Sequence, residues 1–162
     1  MGTLTAPGHL SGVIFVVDSA AISSPAGLTE AATYLHDVLL ILQKRHTTAK
    51  TSKGPAALPI LIAANKLDLF TALPAQLVKK NLEDEITKVR STRSKGLLDS
   101  GIGMEDQDEE KDWLGDGGEG PFKFEQMKES EIEVHVAGGN VLGEGEEKGQ
   151  IDEWWTWIGE NM

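Results

Sequence analysis

Cysteine is absent from the 162 residues, so there is no disulfide framework and redox compartment cannot be read from the chain. No apolar run approaches the roughly 20 residues that span a bilayer. The chain does not open on a basic segment followed by an apolar stretch, so no signal peptide is expected. An excess of basic residues is missing as well. The formal net charge is -11, which argues against a nucleic-acid partner, because phosphate neutralisation supplies most of that affinity. His9, His36, His46 and His135 show no ligand spacing with one another or with carboxylates, so neither a metal site nor a catalytic triad is expected. No Ser or Thr lies in a nucleophile-elbow pattern, and esterase-type chemistry has no support.

What remains is enough for one soluble domain of ordinary size, with 40% hydrophobic and 25% charged residues. Gly12 to Asp18 reads as a buried strand rich in β-branched residues. Ser24-Pro25 suits a helix cap and first position, and Leu28, Ala31, Ala32, Leu35, Val38, Leu39 and Leu42 recur at helical spacing. Lys44-Arg45-His46 closes that helix with cations suited to its carboxyl end. Pro59 to Ala64 is a second strand. A second helix is expected from about Pro74 to Ser94, with Leu77, Leu82, Ile86 and Val89 inside and Lys79, Lys80, Glu83 and Lys88 outside.

From Lys95 to Gly120 the periodicity stops. Between Glu105 and Glu119 there are eight acidic residues and one lysine. Low hydrophobicity with dense like charge predicts a disordered acidic insertion over 95–120 within a single domain spanning 1–162. Phe122-Lys123-Phe124 alternates as a short strand would, and Ile132 to Val136 reads as a third core strand. Ile151 to Ile158 is expected to be a helix presenting Ile151, Trp154, Trp155 and Ile158 to a sheet. Strand–helix repetition of this kind predicts an α/β fold with a parallel sheet of about three core strands and flanking helices.

The chemistry gathers at the end of the second strand. Ile60-Leu61-Ile62-Ala63-Ala64 stops abruptly at Asn65-Lys66-Leu67-Asp68. Ligands of parallel sheets bind just beyond the strands' carboxyl ends, and Asn-Lys-x-Asp there is the guanine-recognition signature of GTPases. A carboxylate at Asp68 can accept from the adjacent N1 and N2 donors of guanine, a pair that adenine lacks. Asn65 can bridge neighbouring loops, and the stem of Lys66 can lie against the base plane. Gly138-Gly139-Asn140 follows the third strand and should reach the same sheet edge, where the Gly139 backbone N–H could donate to the guanine O6. Taken alone, the tetrapeptide equally fits a strand ending in a polar loop, and the glycines a tight turn.

GTPases hold the β- and γ-phosphates with Gly-x-x-x-x-Gly-Lys-[Ser/Thr]. No such segment occurs here, so tight GTP binding and hydrolysis by this chain alone are not expected.

From about Gly12 to the end, excluding the acidic insertion, the order of features resembles the carboxyl-terminal half of a small GTPase. Within that superfamily it is most similar to the beta subunit of the signal recognition particle receptor. Gly12-Val13-Ile14-Phe15-Val16-Val17-Asp18-Ser19-Ala20 and Leu61 to Asp68 carry the likeness, with Phe122-Lys123-Phe124 and Trp154-x-x-Trp157-Ile158. The resemblance implies an incomplete P-loop GTPase-like fold lacking its phosphate-loop half. It also implies GTP, with Mg²⁺, as the family's ligand, and Asn65, Lys66 and Asp68 as guanine contacts. Gly138, Gly139 and Asn140 occupy the loop that other members fill with Ser-Ala-Lys. Implied too are the cytoplasmic face of the endoplasmic reticulum membrane, the receptor alpha subunit as partner, and indirect work with ribosome and translocon in co-translational targeting.

The family's amino-terminal membrane anchor, phosphate loop and first switch are not found here, and neither are the Mg²⁺ ligands. Thr5-Ala6-Pro7-Gly8-His9 resembles the second-switch motif Asp-x-Pro-Gly-His, with Thr5 in place of its aspartate. A truncated product or isoform is therefore expected. The alternatives are a nucleotide-free adaptor fragment, another Arf/Sar-like small GTPase half, or a half that assembles in trans. Without the phosphate-loop strand beside it, the Val13 to Val17 strand should be an open edge, and the chain marginally stable and prone to associate.

Overall fold

The computed structural model describes residues 10–48, 57–99, 113–116, 120–143 and 148–162. The Thr5 to His9 motif and most of the acidic insertion lie outside the described residues. Strand β1 (Val13–Asp18) leads through a 3₁₀ turn, Ala21–Ser23, into helix α1 (Pro25–Thr48), and strand β2 (Leu58–Asn65) follows. Helix α2 (Ala75–Asp99), a second 3₁₀ segment (Phe124–Ser130) and strand β3 (Ile132–Gly138) come next. The short strands β4 (Asn140–Leu142) and β5 (Lys148–Gln150) and helix α3 (Asp152–Asn161) complete the chain.

The central sheet has the order β1-β2-β3 and is parallel throughout, with Phe15 opposite Ile62 and Leu61 opposite His135. Parallel neighbours need crossover connections, and helices supply them here. β2 is covered on both faces, which explains its unbroken apolar run: Ile60, Leu61, Ile62, Ala63 and Ala64 are all buried. On one face Phe15, Val17, Ile60, Ile62 and Ile132 meet Leu35, Leu39 and Leu42 of α1, Val78, Leu82 and Ile86 of α2, and Phe122, Phe124 and Met127. On the other, Leu61, Ala63 and Ala137 meet Trp154 and Trp157 of α3. The result is helix, sheet and helix in three layers.

Several expectations need correction. α2 continues five residues past Ser94, so residues 95–99 belong to a helix rather than to the aperiodic insertion. Part of that insertion is docked: Leu114 is fully buried, while Gln43 on α1 donates to Trp113 O and accepts from Gly115 N–H. Phe122 and Lys123 are not strand, and a 3₁₀ segment begins at Phe124. Its anchor is Glu83, which was expected outside but is buried, accepting from the Phe124 N–H at 3.0 Å and from Lys123 Nζ at 2.8 Å. A buried carboxylate is tolerated because both of its oxygens are paired. Val78 replaces Leu77 in the α2 stripe. Trp157 replaces Trp155 against the sheet, because the indole N–H of Trp154 sets the rotation of α3 by donating to Ala137 O at 3.1 Å.

Candidate functional site

The carboxyl ends of β1, β2 and β3 lie side by side, and backbone bonds tie their loops together. Ser19 N–H donates to Asn65 O at 3.0 Å, Gly139 N–H to Ala64 O at 2.9 Å, and Leu67 N–H to Gly139 O at 3.1 Å. Asn65 joins the end of β1 to β4. Its backbone carbonyl serves Ser19, and its side-chain Oδ1 accepts from the Val141 N–H at 3.1 Å.

Lys66 makes the turn. Its φ of 64° lies in the left-handed region, sparsely occupied by residues other than glycine. Such backbone persists where its surroundings over-determine it, and here they do. Leu69 N–H closes back on Lys66 O at 3.1 Å, and Lys66 Nζ reaches Asp18 Oδ2 at 2.7 Å. Asp18 uses its other oxygen to accept from the N–H groups of Ala20 and Ala21 at 2.9 and 3.0 Å. The Lys66 ammonium, bonded to Asp18, holds that carboxyl below its usual range, and the same bond raises the lysine.

Asp68 stands just beyond this turn. It is exposed, and no described residue bonds to its carboxylate. Leu67, beside it, lays its side chain over Gly138, where an added Cβ would collide with it. Gly139 is constrained too, since a Cβ there would meet Gln150 O and lie 2.9 Å from the Trp154 ring. Close packing thus requires glycine at 139, whereas at 138 a Cβ would displace only the tip of the exposed Leu67 side chain. Asn140 is buried and opens β4, and its Nδ2 donates to Leu142 O at 2.9 Å. One residue beyond Asp18, the buried Ser19 Oγ has no hydrogen-bond partner.

The six residues singled out from sequence therefore converge on one edge, with different duties. Asp68 presents a free pair of acceptors. Asn65 bridges and Lys66 is tethered to Asp18. The Gly139 N–H, expected to face a base oxygen, is already donated to Ala64 O. Asn140 faces inward. The exposed Asp68 carboxylate can accept from a pair of adjacent N–H donors. Among the described residues no group of three His, Asp or Glu side chains is placed to hold a metal ion. Asp18 and Ser19 also stand at this edge, and spacing alone did not single them out. The abrupt polar end of the β1 run was the available signal.

Comparison with known proteins bears on this edge. A family model described as "Signal recognition particle receptor beta subunit" matches residues 2–132. The Saccharomyces cerevisiae signal recognition particle receptor subunit beta is 34% identical over 158 residues, covering 94% of this chain and 56% of that protein. Among solved structures, the receptor described as SRb-GDP-Mg from Chaetomium thermophilum superposes with a TM-score of 0.76 at 48% identity. That match covers 93% of this chain and 62% of the other. The SRb-GTP/SRX complex from the same organism gives a TM-score of 0.78 at 44% identity, covering all of this chain and 54% of that one. The chain spans little more than half the length of the curated yeast relative.

Proposed function

The chain belongs to the signal recognition particle receptor beta subunit family, and we propose that it keeps the base-recognising part of a guanine-nucleotide site. The observation that carries this reading is the free carboxylate of Asp68 at the meeting point of three strand ends. It is held there by a turn that Asn65, Lys66 and Asp18 fix from three sides. Asp68 accepts from N1 and N2 of guanine, and the adenine edge offers it no such pair. Asn65 keeps the loops in register, and the stem of Lys66 offers an apolar flank beside the base. GTP or GDP, when bound, brings the phosphates and their Mg²⁺. Among these residues only the base end has a built receptor.

At the level of the cell, the proposal is a receptor beta subunit at the cytoplasmic face of the endoplasmic reticulum membrane, acting with the receptor alpha subunit in co-translational targeting. Its support is the family membership and the likeness to a neighbour solved as an SRb-GTP/SRX complex.

A base-only site makes a specific thermodynamic demand. Calorimetric titration of the chain with guanosine, GDP, GTP and ATP should give similar weak affinities for the three guanine compounds, in the micromolar to millimolar range (about -8 to -4 kcal/mol). ATP should give no heat of binding. Equal binding of ATP would overturn base recognition. A second reading has its own observation: the Lys66 ammonium and the Gly139 N–H, both expected to meet a base, have partners within the chain in Asp18 and Ala64 O. No binding of any nucleotide at millimolar concentration would leave a nucleotide-free scaffold for protein contacts.

A further inference from the structure

We propose that Asp18 is a positioning residue for the guanine contact: without touching the base, and acting through Lys66, it fixes the turn that carries Asp68. The proposal rests on the base-recognising reading above. It starts from the backbone. Glycine would adopt the left-handed φ at position 66 without strain, yet a lysine stands there. Backbone held in such a region points to a side chain with a use. The ion pair that the Lys66 ammonium forms is with Asp18 Oδ2, at 2.7 Å.

Asp18 is the fixed end of that pair. It stands opposite Asn65 in the parallel register, next to the residue that precedes Lys66 in space as in sequence. Its Oδ1 accepts from the backbone N–H groups of Ala20 and Ala21 at 2.9 and 3.0 Å, which holds the carboxylate independently of the lysine. Lys66 is thereby tied to β1. Leu67 N–H, bonded to Gly139 O at 3.1 Å, ties the next residue to the loop after β3, and Leu69 N–H closes on Lys66 O at 3.1 Å. Asp68 lies between these bonds.

A role in folding alone does not account for the pair. The Lys66 and Asp18 side chains are 51% and 34% exposed, and ion pairs so open to water add little to stability. A tether of small energetic worth still fixes direction. A carboxylate that must meet two adjacent N–H donors at once depends on direction, because hydrogen bonds weaken steeply as they bend. Asp18 therefore acts on guanine affinity through the tether, and on folding through its bonds to Ala20 and Ala21.

Asp18→Asn and Lys66→Met in the full 162-residue chain test this. The amide keeps an acceptor for Ala20 and Ala21, and methionine keeps an apolar stem, so each change removes the tether alone. Without ligand, hydrogen exchange at the Leu67 and Leu69 N–H groups should quicken about fivefold in both variants, as a local opening does. Exchange in β3 should stay as it is, which a global loss of stability would not allow. In calorimetric titration guanosine should bind about fivefold more weakly to each variant, and the double variant should be no weaker than either, because both changes cut one tether. Unchanged exchange at Leu67 and Leu69, or acceleration that extends equally to β3, overturns the proposal. So does guanosine affinity that is unchanged or raised, or losses that add in the double variant, and these results leave base recognition standing. A wild-type chain that binds no guanosine overturns base recognition and this proposal with it.

Discussion

Lys66 Nζ is bonded to Asp18 Oδ2 at 2.7 Å, joining the ends of β2 and β1 across the sheet edge. The lysine sits in left-handed backbone at the start of the exposed turn that carries Asp68. A side chain expected to flank a base is thus also a strut of the loop that presents the Asp68 carboxylate.

Asp18→Ala should destabilise the fold by about 1 kcal/mol, the usual cost of losing a side-chain acceptor for free backbone N–H groups, here those of Ala20 and Ala21. Asp18→Asn keeps an acceptor and should cost less, while still freeing Lys66. Urea unfolding midpoints of the two variants order these effects. The acid dependence has a definite sign. Because Lys66 lowers the Asp18 pKa from its usual 3.8, the stabilisation is present above pH 3.8 and is lost as pH falls through the lower folded value. Asp18→Asn should flatten that part of the profile.

His36 is buried on α1, with Nδ1 3.2 Å from an Arg93 nitrogen and 3.2 Å from Asp37 Oδ1. Arg93 can only donate and Asp37 can only accept, so the role of Nδ1 follows the tautomer of the ring. Burial lowers its pKa below 6.5, against the opposing pull of Asp37. The unfolded chain therefore takes up the proton first. Stability should be full above pH 6.5 and decline as pH falls from there through the folded value. Thermal midpoints between pH 8 and 5 should show the decline, and His36→Gln should reduce it.

Glu83→Ala should cost about 1–3 kcal/mol, because it leaves the buried Phe124 N–H without an acceptor. Chemical denaturation measures the loss directly. Hydrogen exchange should place it in the 3₁₀ segment Phe124–Ser130, with β1 unaffected.

Gly139→Ala should destabilise by about 1–3 kcal/mol through overpacking, since the added methyl meets Gln150 O and the Trp154 ring. Trp154 fluorescence should shift with it. Gly96→Ala, at a helical position with open space around it, should instead leave stability unchanged or raise it.

Much of this was legible in the sequence. β2 could be read because burial on both faces leaves an unbroken apolar run, and α1 because its buried Ala32, Leu35, Leu39 and Leu42 keep a 3.6-residue period. The expected α/β sheet and the convergence of the loops after β2 and β3 followed from those elements. Where sequence reasoning failed, polar tertiary partners decided the outcome. Glu83 looks like a surface residue until the Phe124 N–H is placed beside it. Trp155 and Trp157 cannot be ranked until Trp154 finds Ala137 O. The β4–β5 ribbon has three-residue strands containing glycine and asparagine, too short for any period to register. At the site, the surviving signal was composition at a strand end. The tether from Lys66 to Asp18 had none, because it joins positions 48 residues apart that only the parallel register brings together.

The central claim is that Asp68 reads a guanine edge, and exchanging its acceptor for a donor tests it most directly. Xanthine carries an oxygen where guanine carries its N2 amino group. Titrating the wild-type chain and Asp68→Asn with guanosine and xanthosine diphosphates should show a reversal of preference. The variant should lose guanosine diphosphate and gain xanthosine diphosphate, a change of at least tenfold in each affinity, corresponding to about 1.4 kcal/mol apiece. An unchanged preference for guanosine diphosphate in Asp68→Asn would contradict the account.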